Sequence, residues 1–270
     1  MVVDKLIKEI ENRIELKHEA YVLIEHITGF NKSYLMCHDI DIEDNTVKEI
    51  INLAEQRRKG IPLQYLTNEQ YFYGYRFFVD ENVLIPRADT EILVEKCIEL
   101  VKGKSKLRIL DMCTGSGCIA VTLKKELPFA EVYAADLSPN ALNVAKRNAK
   151  ENNAEINFIL SDLFSNIHDN NFDVIISNPP YIESEEIENL AIDVKNEPVM
   201  ALDGGKDGLD FYRKIAKNSY KFLNETGKIL FEIGYNQANQ VSDILRENNY
   251  KNIFVYKDYG GNDRVVIAEK

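Results

Sequence analysis

Leu107-Arg108-Ile109-Leu110-Asp111-Met112-Cys113-Thr114-Gly115-Ser116-Gly117 is the stretch that decides the fold of this 270-residue chain. Its first five residues form an apolar run of the kind that makes a buried strand. Cys113 to Gly117 reads as a turn, and Ile119-Ala120-Val121-Thr122-Leu123 as an apolar helix behind it. The same rhythm continues outward. Val132-Tyr133-Ala134-Ala135-Asp136 is a second strand, and Pro139 starts a helix through Ala141, Val144, Ala145 and Ala149. Ile156 to Leu160 is a third strand, followed by Asp162, and Phe172 to Ser177 is a further buried one. Alternating strands and helices imply a parallel sheet covered on both faces. Ligands of such sheets bind outside the carboxyl ends of the strands.

The residues at those ends carry chemistry. Gly115 and Gly117 let the backbone approach a ligand, and the helix N-terminus beyond them favours a negative group. Asp136 ends its strand where a carboxylate can accept both hydroxyls of a ribose. Gly115, Gly117 and Ala120 also satisfy G-x-G-x-x-A, which a nicotinamide enzyme would share. Asp111 separates the two readings. An acid at the end of the first strand can face an ammonium group, whereas a pyrophosphate would be repelled there.

Asn178-Pro179-Pro180-Tyr181 closes the Phe172–Ser177 strand. Each proline fixes its own φ near −65° and excludes the residue before it from the helical region. The turn is therefore stiff, with carbonyl oxygens free to face a ligand. Asn178 adds an amide oxygen and an NH2 group, and Tyr181 a flat apolar face. Such a turn suits a planar NH2 group: two acceptors take its hydrogens and a ring packs on its plane. An ordinary proline-punctuated loop is the plainer alternative.

Composition limits the remaining choices. With 45% hydrophobic and 29% charged residues the chain has the makeup of a globular protein with room for one large domain and a small one. A net charge of −11 disfavours a general nucleic-acid binder. Cys37, Cys97, Cys113 and Cys118 lack C-x-x-C spacing and a histidine cluster, so neither a metal site nor a disulfide frame is expected. No apolar run reaches the ~18 residues of a membrane span, and Met1-Val2-Val3-Asp4-Lys5 does not open a secretion signal. A soluble, cytoplasmic protein is expected.

The first third reads as short helices. Ala20, Leu23, Ile24 and Ile27 form one stripe, stopped by Gly29; Val47, Ile50, Ile51 and Ala54 form another, ending in Arg57-Arg58-Lys59-Gly60. That basic run complements a helix C-terminus. Pro62-Leu63-Gln64-Tyr65 begins a link, and Tyr71 to Val79 is an aromatic hairpin. Val83 to Arg87 leads into a helix that Asp89 or Thr90 can cap. Glu183 to Glu188 is an acidic, solvated face. Asp258 to Arg264 is a turn between the last two strands, with Asp263 and Arg264 paired locally.

These segments together resemble the class I S-adenosylmethionine-dependent methyltransferases. Within that class the chain is similar to the protein N5-glutamine methyltransferases that modify peptide chain release factors. The likeness runs through Arg57-Arg58, Gly60, Pro62 to Tyr65, Leu84 to Arg87 with Thr90-Glu91, Asp111 to Gly117, Asn178 to Tyr181, Glu197-Pro198, Gly204-Gly205, Asp207 to Leu209, Phe231 to Gly234 with Gln237, and Asp263-Arg264. It implies a Rossmann-like, doubly wound, mostly parallel seven-stranded sheet. It also implies a helical substrate-recognition domain over 1–69, a hairpin linker over 70–86 and a catalytic domain over 87–270. Asp111, Cys113, Thr114, Gly115, Ser116, Gly117, Asp136, Leu137, Asp162, Leu163 and Asn178 would bind S-adenosyl-L-methionine and its product S-adenosyl-L-homocysteine. Asn178, Pro179, Pro180 and Tyr181 would hold the substrate and direct the chemistry. That substrate would be the glutamine of a Gly-Gly-Gln loop in a release factor, bound by a monomer without nucleic acid, membrane or metal.

Two positions depart from the family pattern. Cys113 stands where glycine is usual, and a positive φ there would be strained. Leu163 stands where an aromatic is common, and can cover an adenine with less stacking. Glu197 is expected either to touch the cofactor loop or to cap. Cys113 and Cys118 are expected to be small buried residues beside the cofactor. The four-residue motif alone is shared with adenine-N6 methyltransferases, which keeps a nucleic-acid amino-methyltransferase as the alternative function. A nicotinamide-binding oxidoreductase or silent nucleotide-binding module is a third.

Overall fold

The computed structural model describes residues 1–14, 16–168 and 171–270. The chain divides into two compact units. Met1–Glu69 and Ala191–Asn196 form the smaller; Gln70–Leu190 and Glu197–Lys270 form the larger.

The smaller unit is helical: α1 (Val3–Glu11), α2 (Glu19–Thr28), α3 (Lys32–Cys37), α4 (Asp44–Arg58) and α5 (Leu63–Thr67). The expected stripes pack with α1 to make its core, where Leu6 and Ile10 of α1 join Leu23, Ile24 and Ile50 as wholly buried residues. Gly29 ends α2 with a left-handed φ of 73°. Pro62 is not the start of a link. It precedes α5, which turns Leu66 into the core. The basic run does more than complement a dipole, because Arg57 embraces the buried Glu19, with Nε–Oε2 at 2.7 Å and Nη2–Oε1 at 3.1 Å. A bidentate pair of this kind satisfies a carboxylate that burial would otherwise penalise.

The larger unit begins with a hairpin, β1 (Gln70–Phe72) and β2 (Tyr75–Phe77). Its Phe72 and Phe77 rings meet edge to face at 6.0 Å inside that unit's core. Then follow α6 (Asp89–Leu100), β3 (Leu107–Met112), α7 (Cys118–Glu126), β4 (Ala130–Asp136), α8 (Pro139–Glu151), β5 (Asn157–Leu160) and β6 (Phe172–Ser177). α9 (Ile192–Lys195) lies in the segment that joins the smaller unit. There its Ile192 sits against Gly60, and Asn196 Nδ2 donates to the Gly60 carbonyl at 3.0 Å. The chain ends with α10 (Asp210–Ser219), β7 (Leu223–Glu232), α11 (Ala238–Glu247), β8 (Lys251–Lys257) and β9 (Asp263–Glu269).

Seven strands form one sheet in the order β5-β4-β3-β6-β7-β9-β8. The first five are parallel, and β9 runs antiparallel to both β7 and β8. The order reverses between β3 and β6, which opens a crevice above their carboxyl ends. Side chains alternate between two apolar layers. Ile109, Ile176 and Leu230 face one, with α6 and α7; Leu110, Ile175 and Phe231 face the other, with α10 and α11. The sheet is thus the doubly wound one the alternation implied.

Candidate active site

A cavity of about 420 Å³ lies within the larger unit above the strand ends. Its wall includes Cys113, Gly115, Asp136, Leu137, Asp162, Leu163, Asn178 and Pro180. Eight of the expected site residues therefore meet in one place. Asp111, Thr114, Ser116, Gly117, Pro179 and Tyr181 support the wall without lining it.

The loop after β3 is built by backbone geometry. Cys113 has φ 63°, so the strained left-handed conformation is the one adopted, with a side chain where glycine is usual. Its thiol stands at the cavity wall and burial pushes its pKa upward. Gly117 has φ 79°, and a Cβ there would stand 3.0 Å from that of Ala145 on α8. Glycine is required both for the turn and for the approach of α7 to α8. The fully buried Asn148 of α8 fastens this loop to the end of the hairpin. It donates to the carbonyls of Ser116 and Phe78 at 2.8 and 2.9 Å and accepts the Phe78 N–H at 2.7 Å.

Asp136 accepts the Gly115 N–H through Oδ2 at 2.8 Å and the Ser138 N–H through Oδ1 at 2.9 Å. Each carboxylate oxygen keeps one further lone pair, so a vicinal diol finds two acceptors. Desolvation raises this pKa, and the backbone N–H groups of Ser138, Gly115 and Leu137 oppose that rise. Leu137, Leu163, Ile119 and Ala141 supply an apolar wall nearby. Leu163 has φ 47°, held by Ser161, whose Oγ donates to the Leu163 carbonyl at 2.6 Å. Three carboxylates, Asp136, Asp162 and Asp203, line the cavity with a single cation, Arg87. This balance suits a ligand with positive charge.

Asp111 is placed differently from the expected ammonium contact. It is fully buried on the α6–α7 side of β3, and Thr114 Oγ1 donates to its Oδ2 at 2.5 Å. Its Oδ1 has no hydrogen-bond partner among the described residues, and burial raises its pKa to about 7. Level along the strands is the reason: Asp111 pairs with Ala134 and Ile176, two residues before Asp136 and Asn178, which do reach the cavity.

The Asn178–Tyr181 turn is clamped from behind. Gln237 Nε2 donates to the Tyr181 carbonyl at 2.9 Å and to the Gly208 carbonyl at 3.3 Å, while its Oε1 accepts the Gly234 N–H at 3.0 Å. Gly208, at φ 69°, brings its backbone so close that a Cβ would lie 2.4 Å from the Tyr181 oxygen. Tyr181 packs against the second apolar layer rather than toward the cavity, and desolvation raises its phenol pKa. Asn178 is half-buried and its Nδ2 donates to Thr90 Oγ1 at 3.2 Å. Among the described residues no donor takes the Asn178 Oδ1 or the Pro179 carbonyl.

Thr90 is therefore not a cap. α6 starts at Asp89 after Ala88, without a side-chain cap, and Thr90 points at Asn178. Glu197 serves the segment before α6. It is buried, accepts the Ile85 N–H at 3.0 Å and pairs with Arg87, fixing the segment that leads into α6. Asp263 and Arg264 also take separate partners: Lys257 for the first, Asp258 and Asp89 for the second. Glu183 to Glu188 forms a 3₁₀ turn whose carboxylates are exposed, as expected. Asn148, Thr90 and Gln237 were not singled out by sequence as site residues; a polar residue within a buried stripe was the available signal for the first.

Comparison with known proteins agrees with this architecture. Residues 88–205 match the methyltransferase small domain and residues 6–67 the PrmC N-terminal domain. A release factor glutamine methyltransferase of Thermodesulfovibrio yellowstonii is 41% identical over 269 residues, covering 98% of this chain and 96% of that one. Its counterpart in Clostridium acetobutylicum is 38% identical over 99% of this chain and 98% of its own. That of Fusobacterium nucleatum reaches 47% over 88% of this chain and 68% of its own. Among solved structures, the hMettl16 catalytic domain in complex with an RNA hairpin of the MAT2A 3′UTR superposes with a TM-score of 0.58 at 15% identity, covering 94% of this chain and 89% of that one. A methyltransferase from Pyrococcus furiosus gives 0.54 at 16%, covering 84% and 99%. At such identities the structural likeness concerns the fold alone. The Thermodesulfovibrio and Clostridium relatives, matched nearly end to end, carry the assignment: this chain belongs to the release factor glutamine methyltransferase family.

Proposed function

We propose that this protein transfers a methyl group from S-adenosyl-L-methionine to the side-chain nitrogen of the glutamine in the Gly-Gly-Gln motif of peptide chain release factors. The observation that carries the reading is the Asn178–Pro179 elbow at the cavity. Asn178 lines the cavity, and neither its amide oxygen nor the carbonyl of Pro179 behind it is taken by a donor among the described residues.

The lining fits the cofactor. Asp136 would take the ribose hydroxyls, and Leu137 and Leu163 would cover the adenine. When bound, the cofactor supplies an electrophilic methyl group on a sulfonium. The chain must then prepare a poor nucleophile, since the lone pair of a carboxamide nitrogen is delocalised into its carbonyl. Asn178 Oδ1 and the Pro179 carbonyl accept the two amide hydrogens, which orients the nitrogen and favours its partly positive transition state. Pro180 and the Gln237 clamp keep that pair of oxygens from relaxing. The smaller, helical unit holds the remainder of the release factor.

Incubation with radiolabelled cofactor tests the proposal. Label should enter a release factor carrying Gly-Gly-Gln and be absent from a Gly-Gly-Ala variant, DNA and RNA. Label confined to nucleic acid would overturn it in favour of a base-modifying enzyme.

A further inference from the structure

The Asn178 amide has two ends, and the chemistry proposed above needs the oxygen to face the cavity. An amide can turn over by half a rotation at little intrinsic cost, so its neighbours must choose the end. Sequence separation conceals which neighbours do so. The parallel register sets Ser177 on β6 opposite Phe231 on β7. One residue further along, Asn178 and Glu232 are level and project to the same side. That side is covered by α6, whose first turn brings Thr90.

Glu232 is 1% exposed, yet its Oε2 has no hydrogen-bond partner among the described residues. A buried carboxyl left so poorly engaged at the floor of an active site calls for a role. We infer that Glu232, acting with Thr90, is a positioning residue for methyl transfer: its carboxylate selects the orientation of the Asn178 amide that turns Nδ2 inward and Oδ1 toward the cavity. The inference rests on the methyltransferase reading above. An ionised carboxylate only accepts, so it attracts the NH2 end and repels the oxygen. Thr90 Oγ1 takes the same Nδ2 at 3.2 Å, which leaves its own hydroxyl hydrogen free to turn toward Glu232. With that hydrogen on the carboxylate, Thr90 and Glu232 both present acceptors to Asn178, which places Oδ1 outward.

The groups around Glu232 make this selection dependent on pH. Burial raises its pKa to about 7, while Thr90, Arg264 and Asn178 favour the charged form and Asp89 opposes it. Arg264 of β9 is itself held between Asp258 at 3.0 Å and Asp89 at 3.2 Å. Tyr212 of α10 donates to the Glu232 backbone carbonyl at 2.8 Å, and Cys118 of α7 and Tyr181 feel the carboxyl's charge. Once protonated, Glu232 can donate to Oδ1, and the wrong end of the amide is tolerated.

The test is single-turnover methyl transfer to a release factor at saturating cofactor from pH 5.5 to 8.5. The parent, Glu232→Gln and Thr90→Val are compared, with thermal unfolding of each. In the parent the rate should rise as pH passes through about 7. Glu232→Gln should lose roughly tenfold at pH 8, the scale of one charge-assisted hydrogen bond, with an unchanged KM for cofactor. It should also lose the rise through pH 7. Thr90→Val should lower the rate in the same direction and move the rise to higher pH, since Thr90 favours the charged form of Glu232. A parent profile flat between pH 6 and 8, or a folded Glu232→Gln with the parental rate and profile, would overturn the inference. If Glu232→Gln does not fold, the parent profile and Thr90→Val decide alone. A parent that labels no release factor refutes the functional reading instead, so the two failures are distinguishable.

Discussion

Replacing Asn178 with alanine removes one of the two acceptors proposed to orient the substrate amide. Its consequences divide cleanly between rate and stability. On the rate side, a hydrogen bond strengthened in the transition state is worth roughly 3 kcal/mol, which is ~10²-fold. On the stability side, the residue is half-buried and its amide makes one hydrogen bond, to Thr90 at 3.2 Å. Its loss should cost only about 1 kcal/mol, or a fall of about 2–4 °C in Tm for a unit of this size. Cofactor affinity should change little, because Asp136 and the loop after β3 remain. Single-turnover transfer of labelled methyl to a release factor reads the rate, thermal unfolding the stability, and calorimetric titration with S-adenosyl-L-homocysteine the cofactor affinity. A variant that methylates at the parental rate would refute the assigned role. So would one whose whole deficit lies in cofactor binding.

Asn148→Ala should destabilise the protein by about 3 kcal/mol, since three buried hydrogen bonds lose their partner; denaturant unfolding measures this. Gly208→Ala forces a Cβ to 2.4 Å from the Tyr181 oxygen at φ 69°. It should displace the elbow and lower methyl transfer by at least ~10-fold, a strain of 1–3 kcal/mol being typical of such positions. Stability should also fall as pH rises from about 4 to 7. Asp111 and Glu232 shift from 3.8 and 4.5 in the unfolded chain to about 7 when folded. The folded state therefore holds protons that the unfolded chain releases. Each group contributes a loss on the order of 3–4 kcal/mol that is complete above pH 7 and absent below its unfolded value. Denaturant melts at pH 4.5 and 8 should show the decline, and Asp111→Asn should remove its share; an Asp111→Asn slope equal to the parental one would count against burial as the cause.

The fold was legible because its signals are local. A buried parallel strand announces itself through a run such as Val174-Ile175-Ile176, and a glycine turn followed by Ile119 to Leu123 announces the helix. Cys113 shows where local reasoning stops. The strain of a positive φ argued against a side chain at that turn, yet the turn keeps φ 63°. The loop is held at several points, by Thr114 on Ala135, Gly115 on Asp136 and Ser116 on Asn148. A conformation fixed by this many bonds can carry about 1 kcal/mol of local strain.

The site was legible in its ligand-facing half and hidden in its supporting half, for a reason that lies in sheet geometry. Residues such as Asp136 and Asn178 stand at strand ends, and sequence shows where a strand ends. Thr90 and Glu232 belong to the same site only because β6 and β7 pair with Ser177 opposite Phe231 and α6 begins above them. A slip of one residue in that pairing would send Glu232 to the other face. No spacing within the chain encodes this. Asp111 makes the converse point: its place at a strand end suggested a ligand contact, but it stands two residues short of the level of Asp136 and Asn178 on the same face of the sheet, against Thr114. Parity tells which face of the sheet a residue serves, and its level along the strand, read across the pairing, tells whether it reaches the crevice. Both are needed before a carboxylate is given a ligand.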